Sequence, residues 1–151
     1  MASAFRFRLE RLLEIRRARE EAAQRAHAEA RRAVDEEALR LAALLAEEEE
    51  ARRVSRDLRR GVLDLAALQL QESVQNAVDR RLRTSRERRL ELDRAELEKR
   101  TALTEAMKAV KVLERVREKR LAEWTRARDV EERKTLDEVA LGQTARVREG
   151  A

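Results

Sequence analysis

The chain has 151 residues, 44% of them charged and 2% aromatic, a formal net charge of +5, and no Cys or Pro. Without cysteine, disulfide scaffolds, thiolate chemistry and Cys-metal sites are excluded, and two Phe and one Trp offer little bulky filling for an ordinary globular core. Residues 65–71 and 139–145 are the longest uncharged runs, far short of the about 20 residues a spanning helix needs; with Arg6, Arg8, Glu10 and Arg11 in place of a signal-peptide apolar region, a soluble intracellular protein is expected.

Ala, Glu, Lys, Leu and Arg dominate, the composition of long helices and coiled coils. A first helix is predicted from about residue 3 to 60. In it Leu44, Ala51 and Leu58 recur every seventh residue, continuing to Leu65, while Val34, Ala38, Leu41 and Leu45 follow a 4-3-4 rhythm. That rhythm makes an apolar seam which another helix must cover, although Glu48 interrupts it. Gly61 is the lone glycine before residue 142, and glycine favours the position just past a helix. Asp64, three residues on, can accept from the free amides that open the next helix.

The turn is therefore placed at 61–64 and a second helix at about 65–141. Leu90 with Leu97, Leu103 with Val110, and then Met107 and Leu121 are read as its stripe, interrupted by Arg86 and Arg117. Gly142 is expected to end it, leaving a frayed tail at 142–151. So short a connection turns the helices antiparallel. The expected fold is one all-α domain over 1–151, an antiparallel two-helix coiled-coil hairpin. Its arms would span roughly 87 and 115 Å, with the end of helix 2 beyond any partner. Exposed Glu-to-Arg pairs four residues apart, Glu36–Arg40 and Glu96–Arg100 among them, each add about 0.3 kcal/mol.

Catalytic constellations are absent from the sequence, so an enzyme is not expected. The single histidine, His27, has Arg31 rather than a second histidine four residues on and reads as a surface or seam residue. The three glycines are too scattered for a nucleotide loop. A continuous helix splays the carboxylates of Glu47–Glu50 around its axis, so no metal or cofactor is implied. Two features stand out more. Arg80, Arg81, Arg83, Arg86, Arg88 and Arg89 form a basic cluster opposed locally by Glu87. It reads either as a solvated helix face or as a contact for nucleic acid or an anionic membrane surface. No aromatics interleave with it, so base stacking is not available. Residues 62–78 carry only Asp64 and Glu72 as charges; their apolar side chains form either a packed hairpin end or an exposed docking face.

The opening Phe5-Arg6-Phe7-Arg8-Leu9-Glu10-Arg11-Leu12-Leu13-Glu14-Ile15-Arg16 resembles the N-terminus of the flagellar export protein FliJ family. Val112 to Lys119, Glu123-Trp124 and Glu132 to Glu138 resemble that family's second-helix pattern, so the likeness spans the whole chain. The virulence-secretion stalk proteins are close relatives with the same architecture. The resemblance implies a cytoplasmic component of the flagellar type III export apparatus, peripheral to the inner membrane through the export gate and without cofactors. It also implies a hairpin similar to the stalk of the rotary ATPase γ subunit. The implied partners are the hexameric export ATPase FliI, the export gate protein FlhA and, for some members, export chaperones; nucleic acid is not among them. By the same resemblance Leu70, Val74, Ala77 and Arg81 correspond to the gate-binding series, with Leu70 standing where the family favours an aromatic residue.

Phe5, Leu9, Leu12, Leu13 and Ile15, with Leu121 and Trp124 alongside, mark the joined ends that would engage the ATPase. Four of these, Leu9, Leu12, Leu13 and Ile15, cover more than one helix face. Near the open end of a hairpin such side chains are expected to have few neighbours, so removing Leu13 or Trp124 is expected to cost little stability. The competing reading is a basic coiled coil that binds nucleic acid or membrane through Arg80–Arg89, and a third is a purely structural oligomeric rod.

Overall fold

The computed structural model describes residues 4–150. The fold is all-α: α1 spans Glu10–Leu58 and α2 spans Leu65–Glu149, packed as an antiparallel helical hairpin. The chain divides into two compact units, one of residues 21–105 and one combining 1–20 with 106–151.

Residues 21–105 contain the turn. Arg59 and Arg60 donate backbone bonds to the carbonyls of Arg56 and Asp57, at 3.3 and 3.1 Å, and tighten the last turn of α1. Gly61 follows at φ +85°, the left-handed conformation that L side chains avoid. The Asp64 carboxylate then accepts from the amides of Ala66 (3.0 Å) and Ala67 (3.2 Å) and caps α2.

Covered positions in this unit alternate by three and four residues without a break. On α1 they run from Ala23 through His27, Ala30, Val34, Glu37, Leu41, Leu44, Glu48 and Ala51 to Ser55 and Leu58. On α2 they run from Leu68 through Gln71, Gln75, Val78, Leu82, Ser85, Arg89 and Leu92 to Glu96. Unbroken heptad spacing is coiled-coil packing, yet several of these layers are polar. Glu37 accepts a 2.6 Å hydrogen bond from the Ser85 hydroxyl, and the Gln71 amide donates to the Ala51 carbonyl at 2.7 Å. His27 Nε2 and Glu96 Oε1 are 2.8 Å apart.

The stripes read from the sequence are displaced from this seam in places. Leu45, Leu90 and Leu97 are exposed, and Glu37, Leu92 and Glu96 take covered positions instead, while Leu44, Ala51 and Leu58 lie on the seam as expected. Following apolar residues alone misplaces the stripe because the true seam includes carboxylates that are paired and therefore tolerated inside.

In the other unit, residues 4–20 face part of α2 between Ala106 and Glu149. Helix α1 begins at Glu10, later than the expected residue 3, and Ser3 lies outside the described residues. Residues 4–7 are not helical, and the Glu10 amide closes a turn onto the Phe7 carbonyl at 3.1 Å. Leu13 is 0% exposed and Val110 is 4% exposed, and these two are the buried apolar side chains among the described residues of the unit. Ion pairs Arg117–Glu10 (3.1 Å) and Arg17–Glu114 (3.2 Å) flank them.

Gly142 does not end α2, which continues to Glu149. One glycine costs about 1 kcal/mol against alanine in a helix, and strong helix formers surround this one. Every residue from Thr125 to Glu149 is exposed. The local supports there include the Arg128–Glu132 pair at 2.7 Å, four residues apart on one face.

Candidate functional site

Two surfaces in different units carry the residues singled out above. In the first, the Phe5 and Trp124 rings meet at 6.0 Å between centroids with a 57° tilt. The non-helical segment 4–7 allows this contact, which belongs to the tilted arrangements that aromatic pairs prefer. Arg128, one turn beyond Trp124, holds its guanidinium 5.6 Å from the indole centroid, an attraction of about 0.5–1 kcal/mol at an exposed site. An open hollow of about 790 Å³ adjoins the pair, with Phe7, Leu9, Val116 and Arg120 among its lining residues.

Phe5, Leu9 and Trp124 are thus brought together. Leu12, Ile15 and Leu121 are exposed but do not line the hollow. Leu13 is a correction to the expected set, because it is wholly enclosed rather than sparsely covered. Its place in the heptad phase points it at α2, whereas Leu12 and Ile15 point away. Sequence reasoning did not assign Phe7 and Arg128 to this surface. The spacing of Arg128, four residues after Trp124, was the available signal.

The second surface lies in the unit of residues 21–105. Leu70, Val74 and Arg81 are exposed on α2 and Ala77 is half-buried. Arg81 reaches across to Glu47 on α1 at 3.1 Å. Val74 and Arg81 border a groove of about 470 Å³ whose α1 side includes Ala43, Ala46 and Val54. Small side chains there leave the space open, and the run Ala42-Ala43-Leu44-Leu45-Ala46 carried that signal in the sequence. Leu70 and Ala77 do not line the groove.

The arginine cluster is less available than its composition suggests. Arg81 pairs with Glu47, Arg88 with Glu91 at 4.0 Å and Arg89 with Asp93 at 3.8 Å. Arg89 is also a half-buried seam residue.

His27 lies in the seam beside Glu96, and Arg100 completes the group with a 2.8 Å contact to the same carboxylate. The His27 hydrogen bond first, and then that of Arg100, hold the Glu96 carboxyl below its ordinary value of 4.5. A carboxyl depressed in the folded state stabilises the fold above its unfolded pKa and loses that contribution as pH falls through the folded one. Glu96→Gln is therefore expected to melt below the parent at pH 7, with the gap closing as the pH drops below about 4.5. Thermal melts at several pH values read this directly, and a gap independent of pH contradicts the assignment.

Among the described residues, no group of three or more His, Asp or Glu side chains could hold a metal ion, and no helix is long and apolar enough to cross a membrane. No curated protein and no solved structure matches the chain. The family model described as "Flagellar FliJ protein" matches residues 5–149, nearly the whole chain and both surfaces described above. The chain belongs to the flagellar FliJ protein family.

Proposed function

We propose that this flagellar export-associated protein is the non-catalytic stalk component of the type III export apparatus, coupling the hexameric export ATPase FliI to the export gate FlhA. The family match over residues 5–149 carries this reading. In it the ATPase engages the Phe5–Trp124 end, and the gate engages the α2 face of Leu70, Val74, Ala77 and Arg81. Export chaperones are further partners, and the gate contact keeps the protein at the cytoplasmic face of the inner membrane. Two exposed surfaces support the reading: one bears paired aromatics, a favoured kind of interface anchor, and the other carries partly exposed apolar side chains beside an open groove.

The experiment is a binding assay of the full chain against the purified hexameric ATPase and against the cytoplasmic region of the gate. Val74 is 43% exposed, so Val74→Asp can be made with little disturbance of packing. This variant is expected to weaken gate binding at least about tenfold, the effect of desolvating one misplaced charge. Helix content and ATPase stimulation should stay at the parent level. Parent-like gate affinity in Val74→Asp removes the gate assignment. Steeply salt-dependent DNA binding without ATPase binding turns the reading toward the basic coiled-coil alternative.

A further inference from the structure

The bend between α1 and α2 is apolar where turns are ordinarily polar. Gly, Asn, Asp and Ser dominate turns because they tolerate or bond the tight backbone. Here Gly61 supplies the left-handed conformation at φ +85°, and Val62, Leu63 and Leu65 stand after it. Their exposures are 98%, 64% and 70%, and every residue from Arg59 to Ala66 is exposed. A single exposed leucine is ordinary. Three large aliphatic side chains clustered on one bend, outside the seam, are an exposed apolar patch of the kind that marks a contact.

The charges beside the patch are unbalanced. Further back on α1 the arginines are matched: Arg52 with Glu48 at 2.7 Å, Arg53 with Glu50 at 2.5 Å and Arg56 with Glu49 at 3.3 Å. Asp57 is held by Arg53 at 3.7 Å. Arg59 and Arg60 have no ion-pair partner among the described residues. Asp64, the acidic group of the bend, is engaged by the amides of Ala66 and Ala67, where the positive end of the α2 dipole offsets its charge. The bend therefore presents aliphatic tips with two uncompensated guanidinium groups directly behind them.

We propose that this bend, Arg59 to Leu65, is a reversible contact for the surface of an anionic phospholipid bilayer. Val62, Leu63 and Leu65 enter the boundary between headgroups and acyl chains, and Arg59 and Arg60 pair with lipid phosphates. The long arginine stems keep the charged heads among the headgroups while the apolar tips go deeper. A protein partner would need a pocket to enclose an apex that is 98% exposed at Val62; a fluid bilayer takes in such an apex without a preformed complement. The inference does not rest on the ATPase and gate contacts assigned above.

The chain has no cysteine, so Leu63→Cys carries a polarity-sensitive dye at the bend of the full-length protein. Leu39→Cys, at a position 73% exposed on α1, carries the same dye away from it. Vesicles of phosphatidylglycerol and phosphatidylcholine in equal amounts, at millimolar lipid, are expected to shift the emission of the first label to the blue and leave the second unchanged. Phosphatidylcholine alone should give no shift, and added salt should weaken the effect. In co-sedimentation of the unlabelled protein, Arg59→Gln with Arg60→Gln should lower partitioning at least about tenfold, and Val62→Ser with Leu63→Ser at least about tenfold as well. Both variants should melt like the parent, because the replaced side chains lie outside the seam. Arg83→Gln with Arg86→Gln, in the arginine cluster of α2, should partition like the parent. Absence of binding to the mixed vesicles overturns the proposal. So does binding that survives both bend variants and falls with Arg83→Gln and Arg86→Gln, which places the membrane contact on the α2 cluster. Equal blue shifts at both labels overturn it too, since the bend is then not the part that inserts. Absent vesicle binding together with lost ATPase or gate affinity in Val62→Ser with Leu63→Ser assigns the bend to a protein partner instead.

Discussion

Leu13→Ala is expected to destabilise the protein by about 2–5 kcal/mol, the range for truncating a buried leucine. Leu13 is the one fully enclosed large side chain among the described residues. Among the described residues of its unit, Val110 is the other buried apolar side chain. The flanking pairs Arg17–Glu114 and Glu10–Arg117 are solvent-exposed and worth at most about 1 kcal/mol each. The companion Leu12→Ala removes a side chain that is 38% exposed and should cost under about 1 kcal/mol. Urea melts of the two variants separate them. Equal, small losses in both would mean that this segment contributes nothing to the folded state that the melt reports.

The contrast between adjacent leucines shows where the sequence is legible. Composition, the heptads at Leu44, Ala51 and Leu58, and the Gly61–Asp64 pair were enough for two antiparallel helices and their turn, because each rests on a local rule. The phase of the seam was harder. Leu9, Leu12, Leu13 and Ile15 are chemically alike, and only the partner helix decides that Leu13 is inside. Glu37 and Glu96 were invisible as core because a carboxylate is buried only when its partner is present, and Ser85 and His27 lie 48 and 69 residues away. Gly142 misled for the opposite reason: a glycine is a permissive place to stop, not an obligatory one. At the aromatic end, the Phe5–Trp124 contact needs the chain to stay non-helical at 4–7. Helix propensity does not forecast this, since tertiary contacts override it at helix ends.

Phe5→Ala combined with Trp124→Ala is expected to leave the melt close to that of the parent and to remove most stimulation of the partner ATPase. Both rings are half-buried, and their mutual contact at 6.0 Å is worth about 0.5–1.5 kcal/mol. That modest cost falls on a segment outside α1, so little packing depends on it. The proposed interface is different, because there each ring moves from partial exposure to full burial. Full burial of an exposed large apolar side chain stabilises by roughly 1.5–3 kcal/mol; rings that start half-buried gain about half of that each, so losing two should weaken ATPase binding by about 10- to 100-fold. Arg128 gives an internal check. Its guanidinium rests over Trp124 at 5.6 Å, so Arg128→Ala exposes the indole without removing it and should weaken ATPase binding far less than the double variant. Gate binding, which relies on Val74 and its neighbours, should persist in all three proteins. A double variant that stimulates the ATPase like the parent removes this end of the molecule from the interface. One that loses ATPase and gate binding together with helicity assigns Phe5 and Trp124 to the folded core, and the ATPase contact must then be sought among the exposed residues of α2 beyond Thr125.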